Sequence, residues 1–206
     1  EGRLIRVHGG AMPVSPATQD FTARRSVAND SKRSVAAKAA SLVESGQTVF
    51  IDGGTTSLAL CQSIPEGLRA QVITHAPTVA VALNDHPGID VLLIGGRIYP
   101  HSVVTVGAVA LEQIDGMRAD VFFLGVSGID AKAGLTTGDA EEAAMKRAFL
   151  QRAAETYVLA SSEKIGTTAR FRVAPLIDVT AAICDDSADA EQLRLLAKAG
   201  LAIVAA

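Results

Sequence analysis

The sequence predicts an α/β fold, an open and mostly parallel sheet with helices on both faces. Three observations carry this reading. Short β-branched and aliphatic runs alternate with helical apolar stripes along most of the chain, the pattern of repeated strand–helix units. The composition, 49% hydrophobic against 20% charged residues with no Trp, suits strands that are covered on both faces. A length of 206 residues is enough for one sizeable core.

Residues 1–18 read as a linker, because Gly9-Gly10, Pro13 and Pro16 interrupt any regular element. Val27, Val35, Ala36, Ala39, Ala40 and Val43 then fall on one apolar stripe of a helix over 27–43, and Gly46 stands where its end would be capped. Strands are expected at 48–51, 71–74, 91–94, 121–126, 156–159, 179–183 and 201–204. Helices are expected at 56–64, 78–83, 103–114, 140–153 and 188–198. Within 140–153, Met145, Ala148, Phe149 and Ala153 face inward. Asp139 with Glu142 has the form of a capping box, and Glu142 with Lys146 that of a favourable i,i+4 pair.

Composition narrows the function. No apolar run approaches the roughly 18 residues of a membrane span, and no basic-then-apolar leader is visible; a soluble, cytoplasmic protein is expected. Cys61 and Cys184 sit in apolar settings and read as buried free thiols rather than a disulfide or metal pair. His8, His75, His86 and His101 lack ligand spacing, so no metal site and no cofactor are expected. A net charge of −3 argues against duplex binding by these residues alone. The chain starts at Glu1, without an initiator Met, and reads as a piece of something longer.

The informative residues follow the strands. In a parallel sheet these strand ends share one edge, and ligands bind outside it. Asp52-Gly53-Gly54-Thr55-Thr56-Ser57 joins a strand to a helix: its glycines permit close backbone approach, and its amides open a helix N-terminus, which suits a phosphate or carboxylate. It is neither a Walker loop nor a dinucleotide fingerprint. A plain strand-to-helix turn is the competing reading. His75, Gly95-Gly96-Arg97, Asp130 with Thr136-Thr137, and Ser161-Ser162-Glu163-Lys164 lie on the same expected edge. Glu142 reads either as a cap or as an acceptor for sugar hydroxyls. Lys164 and Arg97 read either as solvated side chains or as phosphate partners. Arg24, Arg25, Lys32 and Arg33 read as a wet helix face or an interface with a partner domain.

Taken together, these residues resemble the DeoR family of bacterial transcription regulators over nearly the whole chain. The resemblance rests on residues 2–11, Phe21 with Arg24 and Lys32, the loop 52–56, Gly95-Gly96, Gly107, Asp130 with 134–137, residues 142–147 and Lys164-Ile165-Gly166. It implies an effector-binding domain over 19–206 that follows a winged helix-turn-helix missing from this chain. The implied fold is that of ribose-5-phosphate isomerase, glucosamine-6-phosphate deaminase and the CoA transferases. It further implies a phosphorylated-sugar effector, operator DNA contacted through the N-terminal domain, a homo-oligomer and a repressor role. In that scheme the loop 52–57 holds the phosphate, while Asp130, Glu142 and Lys164 surround the sugar. One departure stands out: the family commonly places an acidic residue near the start of the loop holding Lys164, where this chain has Ser161, with Glu163 before the lysine.

Two other functions compete. A sugar-phosphate isomerase would use Glu142 or Asp130 as base and Lys164 to stabilise developing charge. A CoA transferase would need a glutamate nucleophile and a larger ligand path. The single carboxylate in the loop around Asp130 favours the non-catalytic sensor.

Overall fold

In the computed structural model, residues 4–7, 10–13 and 20–206 are described. The chain opens with an antiparallel hairpin of β1 (Leu4–Val7) and β2 (Gly10–Pro13), inside the stretch read as linker; the rest of that stretch lies outside the described residues. The helix expected over 27–43 is α2 (Asn29–Ala40), and a short helix that the sequence did not predict, α1 (Phe21–Arg24), precedes it. Ala28 between them is left-handed at φ 49°, which no single continuous helix accommodates.

From there strands and helices alternate: β3 (Thr48–Ile51), α3 (Thr55–Ser63), β4 (Ala70–Thr74), α4 (Pro77–Leu83) and β5 (Ile89–Leu93). A short hairpin, β6 (Arg97–Tyr99) and β7 (Val104–Val106), precedes α5 (Ala108–Ile114). The helix expected over 103–114 thus begins only at Ala108, and Val104–Val106 is strand. The β-branched run Val103-Val104-Thr105-Val106 prefers a pleated conformation. Next come β8 (Ala119–Leu124), β9 (Gly128–Asp130), β10 (Gly134–Thr137), α6 (Ala140–Leu150) and β11 (Ala153–Leu159). The chain finishes with β12 (Phe171–Ala174), β13 (Ala181–Cys184), α7 (Ala190–Lys198) and β14 (Ile203–Ala205).

Seven strands form one sheet in the order β14-β13-β11-β8-β3-β4-β5, every neighbouring pair parallel. This is the expected α/β architecture. Two smaller antiparallel units, β12-β10-β9 and β6-β7, occupy segments that read as loops or, at β7, as helix, because three- and four-residue strands carry too little periodicity to register.

The order of strands places the site. From β3 the chain proceeds outward to β4 and β5; from β8 it proceeds the other way to β11, β13 and β14. Adjacent β3 and β8 therefore flank the point where the winding reverses, and a crevice opens there at their carboxyl ends.

The core beneath that crevice is aromatic. Phe149 of α6 packs on Phe50 of β3 and Phe122 of β8, with ring centroids 4.9 and 5.3 Å apart, and all three are fully buried. Each such side chain contributes roughly 1.5–3 kcal/mol by leaving water. Their packing fixes α6 against the sheet, and with it the residues one and two turns earlier on the same face, Lys146 and Glu142. Asp139 caps this helix, accepting from the amides of Glu141 and Glu142, each at 3.0 Å. The reciprocal half of the expected capping box is not made, because the Glu142 carboxylate goes elsewhere. Cys61 and Cys184 are buried free thiols, both pushed up to about 12 by burial.

Candidate functional site

Asp52, the first residue after β3, is completely buried at the floor of the crevice. One carboxylate oxygen accepts from the Gly53 amide (2.7 Å) and His75 Nε2 (2.8 Å); the other accepts from the Gly125 amide (2.9 Å) and Lys146 Nζ (2.5 Å). Burial alone would raise its pKa, but Lys146 and His75 outweigh it and hold the carboxyl at about 2. His75 is buried behind it, its Nδ1 donating to the Thr105 carbonyl at 2.9 Å. Asp52 and His75 therefore anchor the floor rather than line the crevice. Gly125 is required here: a Cβ at that position would stand 2.9 Å from the Gly53 carbonyl and 3.2 Å from Asp52 Oδ2.

Above this floor a crevice opens, and Gly53, Gly54, Thr55, Thr56 and Ser57 line it. Gly54 is the N-cap of α3 at φ 122°, a conformation that favours glycine, and it supplies no capping side chain. The first amides of α3 thus reach the crevice without a side-chain acceptor. A nine-residue helix contributes partial positive charge at the same place.

Four cations surround these amides. Lys164 is buried, its Nζ donating to Leu159 O (3.1 Å) and Thr56 Oγ1 (3.3 Å). Burial, helped by Lys32, Arg24 and Lys146 and opposed by Glu163, pushes its pKa down to about 8. Lys32 is buried, with Nζ on the Arg24 carbonyl at 2.6 Å. Arg24 reaches in from α1, one guanidinium nitrogen donating to His101 O at 3.1 Å. Lys146 is committed to Asp52 and, at 3.4 Å, to Glu142; burial works against its charge, but those two carboxylates raise its pKa. Glu142 also accepts from Thr137 Oγ1 at 2.6 Å. Three buried side-chain polar atoms lack a protein partner among the described residues, and two of them, Arg24 Nε and Glu163 Oε2, belong to crevice-lining residues.

Of the sequence-predicted residues, the structure gathers the loop 53–57, Thr137, Glu142 and Lys164 around one space. Others are placed elsewhere. Asp130 accepts from the amides of Lys132 and Ala133, closing the β9–β10 turn. Thr136 is occupied by the Gly128 carbonyl and the Ala169 amide. Arg97, following Gly95-Gly96, pairs with Glu141 at the exposed surface, and none of these three residues lines the crevice. Sequence reasoning missed Arg24, Lys32, Lys146 and Glu163. The first two had been read as a solvated or interface face; Lys32 falls on the stripe shared with Val35, Ala36 and Ala39, and that phase was the available signal. Among the described residues no group of His, Cys, Asp and Glu is arranged to hold a metal.

A crevice bordered by helix amides and cations at the switch point of a seven-stranded parallel sheet is the architecture of a doubly wound α/β domain. Residues 27–186 match the family described as the DeoR C terminal sensor domain, and the chain belongs to that family. Its curated relatives are named as transcription regulators rather than enzymes. The HTH-type transcriptional regulator GlpR of Haloferax volcanii is 31% identical over 205 residues, covering 98% of this chain and 80% of that protein. An uncharacterized HTH-type transcriptional regulator FruR of Bacillus subtilis is 33% identical over 194 residues, covering 93% and 75%. The glycerol-3-phosphate regulon repressor of Escherichia coli is 28% identical over 183 residues, covering 88% and 73%. Among solved structures, ribose 5-phosphate isomerase A from Neisseria gonorrhoeae overlaps 70% of this chain and 55% of its own at TM-score 0.48 and 14% identity.

Proposed function

We propose that this domain senses a phosphorylated sugar or polyol and thereby changes the operator affinity of a winged helix-turn-helix preceding residues 1–18, in a cytoplasmic homo-oligomer. One observation carries the reading: the uncapped N-terminus of α3 faces Arg24, Lys32 and Lys164 across a single crevice. Helix amides with converging cations are what a phosphate monoester needs. Thr137 and Glu142 supply hydroxyl and carboxylate groups suited to the sugar end. The relative named for glycerol 3-phosphate agrees with such a ligand.

The coupling would run through α1. Arg24 and Val27, near the start of the described domain, line the crevice, so a ligand drawn against Arg24 would favour one disposition of the preceding segment. That is a population shift with a definite lever. Against the isomerase alternative, Asp130 closes a turn away from the crevice, and the relatives are named as regulators.

The test is a thermal-shift panel of sugar phosphates and their unphosphorylated parents in buffer free of phosphate and sulfate. A ligand at 100 times its Kd adds about 2.7 kcal/mol, a rise of roughly 5–10 °C for a domain of this size. A shift with a phosphorylated compound and not its parent supports the reading. No shift with any of them refutes it.

A further inference from the structure

Glu163 stands on the short turn Ser162–Lys164, immediately before the lysine of the crevice. One carboxylate oxygen accepts from the buried Ser161 hydroxyl at 2.9 Å. The other is buried, has no partner among the described residues and belongs to a crevice-lining side chain. Arg24, Lys32 and Lys164 all feel the Glu163 charge, yet none of them forms an ion pair with it within 4 Å. A carboxylate surrounded by cations but tied to none, with one oxygen fixed by a serine, is held ready to accept from something else.

The charge balance indicates what that is. Counted over the side chains that line the crevice, four cations (Arg24, Lys32, Lys146 and Lys164) face two carboxylates (Glu142 and Glu163), an excess of two positive charges when Lys164 is protonated; Asp52 lies beneath this lining. A phosphate monoester dianion matches that excess. A second anionic group on the same ligand would exceed it and would meet Glu163 in a site where charges are poorly screened.

Resting on the phosphate reading above, we infer that Glu163 selects the uncharged, hydroxyl-bearing end of a phosphate monoester and rejects ligands carrying a second negative charge.

The experiment is a titration calorimetry comparison of matched pairs, glycerol 3-phosphate against 3-phosphoglycerate and glucose 6-phosphate against 6-phosphogluconate, on wild type, Glu163→Gln and Ser161→Ala. Wild type is expected to prefer the hydroxyl partner of a bound pair at least tenfold. Glu163→Gln should cut that preference tenfold or more, chiefly by strengthening the acidic partner. Ser161→Ala keeps the charge and should narrow the preference several-fold by weakening the hydroxyl partner, without strengthening the acidic one, which gives a second reading should Glu163→Gln fold poorly. Phosphate-dependent binding with the same preference in wild type and Glu163→Gln overturns the role of Glu163 alone. Failure of wild type to bind inorganic phosphate or any of the four esters overturns the phosphate reading, and this inference with it.

Discussion

Lys146 Nζ lies 2.5 Å from Asp52 Oδ2, joining residues 94 positions apart, and both side chains are shut away from solvent. Two ions removed from water lose several kcal/mol of hydration each, which their mutual attraction repays only when the remaining donors and acceptors are also satisfied. Here they are. Asp52 collects the Gly53 and Gly125 amides and His75 besides Lys146, so one carboxylate ties the ends of β3, β4 and β8 to α6. The pair is the joint beneath the crevice, and the loop 53–57 takes its position from it.

Lys146→Met should therefore leave a buried carboxylate short of its countercharge and lower stability by roughly 3–5 kcal/mol, a fall in Tm of about 10 °C. Asp52→Asn together with Lys146→Met should lose less than Lys146→Met alone. Chemical denaturation of the three proteins measures this, and equal losses in single and double variants would show that the pair does not act as a unit.

Asp52 also sets an acid limit. Its pKa is held at about 2 in the folded protein against 3.8 as the ordinary value. A lowered carboxylate pKa contributes stability above the unfolded value, and that contribution disappears as pH falls from about 4 to about 2. The amount is about 2 kcal/mol at 1.36 kcal/mol per pKa unit. Stability followed from pH 6 to pH 2 should lose this component in wild type and lack it in Asp52→Asn; parallel curves would place the acid sensitivity elsewhere.

How much of this was legible follows from which signals are local. The seven parallel strands announce themselves by apolar runs, and the loop 52–57 by its glycines and hydroxyls. The reversal of winding between β3 and β8 is a pairing property that no run of residues displays. Arg24, Lys32 and Lys146 have the composition of solvated helix faces; Lys32 betrays itself by sharing the stripe of Val35, Ala36 and Ala39, while the placement of α1 is what turns Arg24 inward. Asp130 misled for the opposite reason, since an aspartate before a tight turn looks the same whether it meets a ligand or, as here, the Lys132 and Ala133 amides.

Arg97 provides a control. It pairs with Glu141 outside the crevice, with 63% and 47% of the two side chains exposed, and a pair so accessible is worth little. Arg97→Ala should change stability by no more than about 0.5 kcal/mol and leave the affinity for a phosphate monoester within twofold. A larger loss of affinity, read by calorimetry, would mean that the crevice reaches further along α6 than its lining residues indicate.

The strongest pH effect on binding should come from Lys164, whose pKa burial pushes down to about 8 from 10.5. In the free domain this lysine loses its proton as pH rises through 8, whereas the unfolded chain keeps it until 10.5. Stability without ligand therefore gains from this group between pH 8 and 10.5. Phosphate binding has the opposite sign, because a monoester dianion, fully formed above about pH 6, needs the charged ammonium. Affinity should be level between about pH 7 and pH 8, then fall roughly tenfold per unit, with proton uptake on binding near pH 8. Lys164→Arg keeps its charge throughout that range and should remove the alkaline fall even if its bulk weakens binding overall. Affinity that stays level to pH 9.5 in wild type would mean that Lys164 holds the loop through Thr56 and the Leu159 carbonyl without touching the phosphate.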